Sequence, residues 1–101
     1  MNITVLTPDK EVFKGKITSV KVPGSDGQFQ VLKNHAPIVS SLDAGEIKIV
    51  AAEGSHQVYN EETGTIETAD DPGKTYSFTI TRGFIEVLNN EVSLLVQGVG
   101  K

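Results

Sequence analysis

Phe84-Ile85-Glu86-Val87-Leu88-Asn89-Asn90-Glu91-Val92-Ser93-Leu94-Leu95-Val96 reads as two strands and the turn that joins them. Asparagine tolerates the positive φ angles of a tight two-residue turn, so the runs 84–88 and 91–96 are expected to pair directly as a hairpin. Just upstream, Tyr76, Phe78 and Ile80 alternate with Ser77, Thr79 and Thr81, the cleanest period-two pattern in the chain. Further runs of this kind occupy residues 2–6, 11–13, 17–22, 27–32 and 46–50, each closed by Gly, Pro, Asn or Asp. No window combines helical periodicity with caps; residues 41–46 suit one short turn at most, because Gly45 interrupts them. Many short strands with frequent turn signals imply an all-β sandwich or barrel.

Residues 51–74 break the rhythm. They hold weak strand candidates at 57–59 and 65–68, separated by Glu53-Gly54, by Asn60-Glu61-Glu62-Thr63-Gly64 and by Asp70-Asp71-Pro72-Gly73. A structureless loop of this length is uncommon in a compact domain, so the segment is expected to be a polar extra hairpin or a mobile excursion. With few apolar groups to bury, its local order is expected to be low.

At 101 residues the chain is long enough for one core-bearing domain and too short for two, so residues 1–101 are expected to be a single β-sandwich domain carrying the acidic insertion 51–74. It has no Trp and six aromatic residues, which leaves the core to Val, Ile and Leu. Without cysteine there is no disulfide framework, thiolate nucleophile or Cys-based zinc site. The start, Met1-Asn2-Ile3-Thr4-Val5, is not a signal peptide, and no apolar run approaches the ~20 residues of a bilayer span, so any membrane association is expected to come through partners. Net charge is −4, divided as +1 over residues 1–50 and −5 over 51–101. An acidic chain without a basic stripe is a poor binder of nucleic acid.

Catalytic and metal chemistry finds little support. Glu61-Glu62 and Asp70-Asp71 are adjacent pairs in turns, which suits solvated loop acids better than a convergent catalytic pair. His35 and His56 are far apart in sequence and have no cysteine companions. Ser25, Ser40 and Ser41 lie outside any nucleophile elbow. Gly98-Val99-Gly100-Lys101 lacks the remainder of a phosphate loop and reads as a fraying end. No cofactor or metal is expected.

The run Val22-Pro23-Gly24-Ser25-Asp26-Gly27-Gln28-Phe29-Gln30-Val31-Leu32-Lys33-Asn34-His35-Ala36-Pro37 looks instead like a surface built for recognition: strand, tight turn, strand, then a loop stiffened by an X-Pro step. For His35 two readings stand side by side, a contact residue and a ring that ties down loop carbonyls. Together with Val5-Leu6-Thr7-Pro8, Val12-Phe13-Lys14-Gly15, Leu42-Asp43-Ala44-Gly45-Glu46-Ile47, Gly83-Phe84-Ile85-Glu86-Val87 and Asn90-Glu91-Val92-Ser93-Leu94-Leu95, this run resembles the N-terminal β-sandwich domain of the epsilon subunit of F-type ATP synthases, called delta in mitochondria.

That resemblance implies a two-sheet sandwich of about ten strands and a rotor component without catalysis of its own. The implied partners are the gamma subunit and the ring of membrane-embedded c subunits, through which ion-driven torque (proton or sodium) reaches the catalytic head. By position, the ring-facing loop falls on Asp26, Gly27 and Gln28, where many members carry an acid in place of Gln28. The gamma-facing side falls on Thr7, His35, Ala36, Pro37, Ile38 and Ser40. The implied location is peripheral, on the cytoplasmic face of a bacterial inner membrane. The chain reads as a short form without the C-terminal helical hairpin of many members, with residues 51–74 some fifteen longer than the usual connection. The competing expectation is a free-standing β-sandwich that binds a ligand such as carbohydrate, disfavoured by the lack of Trp for stacking.

Overall fold

The computed structural model describes residues 1–54, 56–60, 64–70 and 72–100. The loop acids Glu61, Glu62 and Asp71, and Lys101 of the terminal run, lie outside the described residues. Ten strands form, in order β1 (Asn2–Leu6), β2 (Glu11–Gly24), β3 (Gly27–Leu32), β4 (Ile38–Leu42), β5 (Gly45–Ala51), β6 (His56–Asn60), β7 (Thr65–Ala69), β8 (Thr75–Ile80), β9 (Arg82–Leu88) and β10 (Glu91–Gln97). The fold is all-β, with no helix among the described residues.

The two runs expected at 11–13 and 17–22 are one strand of 14 residues. Its first part pairs with β1 and β6, its second with β5 and β3, and Gly24 meets Leu42 of β4. Between them the inward-facing positions change phase, from Phe13 and Ile17 to Val20 and Val22. A register shift opposite β5 falls at Ile17/Ser19. Such a bulge bends a strand and increases its twist, which lets one strand leave one sheet and enter the other. The sheets are thus β4-β9-β10-β1-β2-β6-β7 and β3-β2-β5-β8, sharing β2. Only the β1–β10 pairing is parallel among those described.

The core lies between the inner faces. Ile85, Val87, Val92, Leu94 and Val96 face Ile47, Ile49, Phe78 and Ile80, with Phe13, Val20 and Val22 of β2 completing the layer. Each fully buried aliphatic side chain contributes about 1.5–3 kcal/mol. The β9–β10 turn adopts the expected geometry, with φ of 51° at Asn89 and 62° at Asn90. Strand β4 was not evident in the sequence; it pairs along Ile38–Leu42 with β9. The end read as fraying is paired instead: Gly100 and Thr79 exchange two backbone hydrogen bonds of 2.9 Å, because the outer edge of β8 offers unpaired groups.

Of the two alternatives for the segment 51–74, its described residues show the hairpin, β6 paired with β7. Strand β6 adds to β2 through Phe13↔Val58 and Lys14↔Gln57, and β7 adds to β6. The premise that little is buried here does not hold at the hairpin's base, where His56 is 1% exposed. Its ring stacks on Phe13 at 5.2 Å, and Nε2 lies 2.7 Å from the Tyr76 hydroxyl. Gly15 makes room for it: a methyl there would overlap the His56 Cβ and stand 2.9 Å from its Cα. Gly15→Ala is therefore expected to cost about 1–3 kcal/mol by overpacking. Amide exchange should quicken in β6 and β7 before it does in β9 and β10. Leu94→Ala, at 0% exposure, is expected to cost about 2–5 kcal/mol and to speed exchange throughout. A Gly15→Ala chain that melts and exchanges like the parent would contradict this packing.

Candidate functional site

At one end of the sandwich, Gly24 pairs with Gly27 and the chain reverses through Ser25 and Asp26. Gly27 has φ +123°, a conformation that a residue with a Cβ adopts only under strain. The Ser25 amide donates to the Ser41 carbonyl at 3.2 Å, and its hydroxyl donates to Asp43 Oδ1 at 3.1 Å. The Asp43 amide donates to the Pro23 carbonyl at 2.9 Å. The turn is thereby pinned to the corner between β4 and β5, while Asp26, Gly27 and Gln28 all stay exposed. The three sequence-assigned residues form one short patch on a braced hairpin tip.

The other six do not form one cluster. Thr7 lies at this same end, where its hydroxyl accepts from the Lys10 amide at 3.1 Å and closes the β1–β2 turn. His35, Ala36 and Pro37 lie at the far end, where the His35 amide donates to the Leu32 carbonyl at 3.1 Å and Nδ1 donates to the Ala36 carbonyl at 2.7 Å. The ring thus does hold a loop carbonyl, as one of the two readings of His35 required. Asn90 braces this loop, accepting from the Asn34 amide at 2.7 Å and donating to Asn34 Oδ1 at 3.2 Å. Ile38 and Ser40 are half-buried on the inner side of β4; their neighbours Val39 and Ser41 point outward.

The feature joining the two ends is the outer face of β4-β9-β10-β1. Registers place Ser41, Phe84, Leu95 and Leu6 in one cross-strand row, with Val39, Glu86, Ser93 and Thr4 in the next. Val39 is 73% exposed, Phe84 59%, Leu95 54% and Leu88 50%. Leu6, Thr7, Arg82, Phe84 and Leu95 line a groove of about 660 Å³ on this face. The outer face of the second sheet is mostly polar by contrast: Gln30, Lys21, Lys48 and Ser77 share one row and Glu46 and Thr79 another, with Leu32 exposed alone at the β3 edge. Exposed apolar side chains that run contiguously across neighbouring strands mark an interaction surface, unlike one isolated at an edge. The sequence reading missed these residues, although Phe84-Ile85, Val87-Leu88 and Leu94-Leu95-Val96 carry the signal. Neighbours in a strand point to opposite faces, so adjacent apolar residues mean a strand covered on both sides. Among the described residues, no three His, Asp or Glu side chains converge in a metal-binding arrangement.

Residues 1–72 match the family described as ATP synthase, Delta/Epsilon chain, beta-sandwich domain. The chain is 35% identical over 95 residues to the ATP synthase epsilon chain of Leptospira borgpetersenii serovar Hardjo-bovis (strain JB197), an alignment spanning 94% of this chain and 59% of that protein. It is 33% identical over 97 residues to the ATP synthase epsilon chain of Chlorobium limicola, spanning 96% of this chain and 89% of that one. Among solved structures, a chain of the Tetrahymena thermophila mitochondrial ATP synthase central stalk and c-ring superposes with TM-score 0.71 at 17% identity, over 100% of this chain and 66% of that one. A chain of the Euglena gracilis mitochondrial ATP synthase gives the same TM-score at 18% identity, over 97% and 51%. At these identities the structural likeness bears on the fold.

The loop geometry at the His35 end makes a separable prediction. Asn90→Ala keeps a Cβ at positive φ without the short polar side chain that lets asparagine tolerate it, costing roughly 1–2 kcal/mol, and also removes the bonds to Asn34. Asn90→Gly relieves the backbone and loses only the bonds, for about 1 kcal/mol. Thermal unfolding should rank parent, then Gly, then Ala; equal melting of the Ala variant and the parent would contradict it.

Proposed function

The chain belongs to the delta/epsilon chain family of ATP synthases through its β-sandwich domain, and on that premise we propose that it is a non-catalytic central-stalk subunit that makes gamma and the c-ring turn together. The apolar outer face of β4-β9-β10-β1 seats on the gamma subunit, framed by Thr7 at one end and His35, Ala36 and Pro37 at the other. Ile38 and Ser40 support the face from beneath. The hairpin tip Asp26-Gly27-Gln28 contacts the c-ring. Torque driven by a proton or sodium gradient then passes through a body too closely packed to shear.

One observation carries this assignment: Leu6, Leu95 and Phe84 form a contiguous exposed apolar row on the outer face of β4-β9-β10-β1, with Val39 and Leu88 beside it, whereas the outer face of the other sheet exposes a single large apolar side chain among the described residues, Leu32 on its edge strand. A contact of standard size buries ~800 Å² on each partner, and engaging both partners together strengthens the hold on each. The subunit reaches the membrane as part of the complex, on the cytoplasmic face in a bacterium. Residues 1–101 act in this as one domain that carries an insertion at 51–74.

Mixing the full chain with purified gamma subunit at micromolar concentration should give co-elution on size exclusion. Phe84→Glu forces a carboxylate into a desolvated contact and is expected to weaken binding by about 30-fold or more. Asp26→Lys with Gln28→Lys should leave gamma binding intact and reduce retention on c-ring-containing membranes. Unchanged co-elution of the Phe84→Glu chain would remove the assigned face.

A further inference from the structure

We propose that the β6–β7 hairpin is a lateral extension of the docking face, and that the partner surface seated there is apolar over the hairpin and acidic where it crosses the adjoining stretch of β2. This rests on the outer-face assignment above and names the chemistry of the partner on one side of it.

Register carries the face across. Thr4 on β1 stands opposite Lys14 on β2, Lys14 opposite Gln57 on β6, and Gln57 opposite Thr68 on β7. These residues therefore share the side on which Leu6, Leu95 and Phe84 are exposed. Tyr59 alternates onto that side, and Ile66 pairs with it while 51% exposed. The face then spans seven strands, about 29 Å at 4.7–4.9 Å per strand, against about 19 Å without the hairpin. The difference is roughly the width of one more helix.

The hairpin is held in that plane by more than its ladder. His56 is buried against Phe13, bonded to the Tyr76 hydroxyl, and seated over Gly15, with Nδ1 buried and unpartnered. A buried polar group left partly unsatisfied is costly. A solvated excursion would have no need of it, whereas a platform that must stay in register would.

Charge names the occupant. The outer positions of β1, β2 and β6 include Asn2, Thr4, Lys14, Lys16, Gln57 and Tyr59, in a chain of net charge −4. Lys14 and Lys16 are exposed and make no ion pair among the described residues. Lys10 Nζ sits 4.1 Å above the Tyr59 ring. The neighbouring carboxylate, Glu11, is half-buried at the β1–β2 bulge with Oε1 unpartnered. Over β9 and β10 the sign reverses, with Glu86 and Glu91 outward. A complementary surface thus presents carboxylates toward Lys14 and Lys16 and an apolar ridge toward Tyr59 and Ile66.

The test is calorimetric titration of the full chain with purified gamma subunit at 50 and 500 mM salt, after confirming that each variant melts like the parent. Tyr59→Ser with Ile66→Ser is expected to raise Kd about tenfold at either salt. Lys14→Glu with Lys16→Glu should raise it by at least that at 50 mM and much less at 500 mM. If the lysine double variant binds as well as the parent at low salt, the acidic assignment is overturned. If both double variants stay within twofold of the parent while Phe84→Glu abolishes binding, the extension is overturned and the docking face stands. If Phe84→Glu also binds like the parent, the docking face and its extension fall together.

Discussion

Strand β2 hydrogen-bonds to β1 and β6 along its first half, to β3 and β5 along its second, and to β4 at its last residue. Both sheets are built outward from it, and the phase change between Ile17 and Ser19 turns its apolar side chains from one half of the core to the other. The two ends of β2 also close a circuit, β2-β1-β10-β9-β4-β2. The β2–β4 contact is the single pair Gly24↔Leu42, while β9, β10 and β1 are each flanked on both sides, so what they offer a partner is the face rather than a ladder. Through its middle β2 is kept in line by β1, which pairs Ile3 with Gly15 and Asn2 with Lys16. The missing side chain of Gly15 admits His56, so that one glycine decides how closely the hairpin seats on β2.

Rigidity and recognition are divided between the two surfaces of one sheet. The inner surface, with Ile85, Val87, Val92, Leu94 and Val96, supplies close packing. The outer surface, with Phe84, Leu88, Leu95, Leu6 and Val39, supplies apolar area that folding leaves in water. Covering that area on association is favourable by about 25 cal/mol per Å² before the costs of binding. A strand-borne face also suits a mechanical role better than a loop-borne one, because its side chains are fixed by the ladder beneath them. The braces around Ser25 and Asn90 extend the same stiffness to the loops at each end.

Period-two alternation sufficed for most of the strands, and Asn89-Asn90 for the β9–β10 turn, because these are local signals that tertiary context did not override. Strand β4 was hidden because Ile38-Val39-Ser40-Ser41-Leu42 has no clean alternation; pairing with β9 makes it a strand. Gly15 and Lys16 looked like a break between two runs, since the pairing that carries the strand through them is with β1 and the reason for the glycine lies some forty residues away in His56. The Asp26–Gln28 patch was legible as a braced turn. The apolar face was not, because the residues assigned by resemblance (Thr7, His35, Ser40) mark its rim and underside, and the face itself emerges only when the registers of four strands are laid side by side. Resemblance marked residues 51–74 only as longer than the usual connection; the hairpin's register on β2 is the informative fact there.

The chain has no cysteine, so single cysteines can report on each face without background. Val39→Cys, Leu88→Cys and Leu95→Cys sit on the apolar outer face, and Lys48→Cys and Ser77→Cys on the polar one. The most direct measurement is the rate of thiol alkylation of each variant, free and bound to the gamma subunit. The account predicts strong slowing at 39, 88 and 95 with unchanged rates at 48 and 77. Protection at 48 and 77, or unchanged rates at 39, 88 and 95 in the complex, would contradict it.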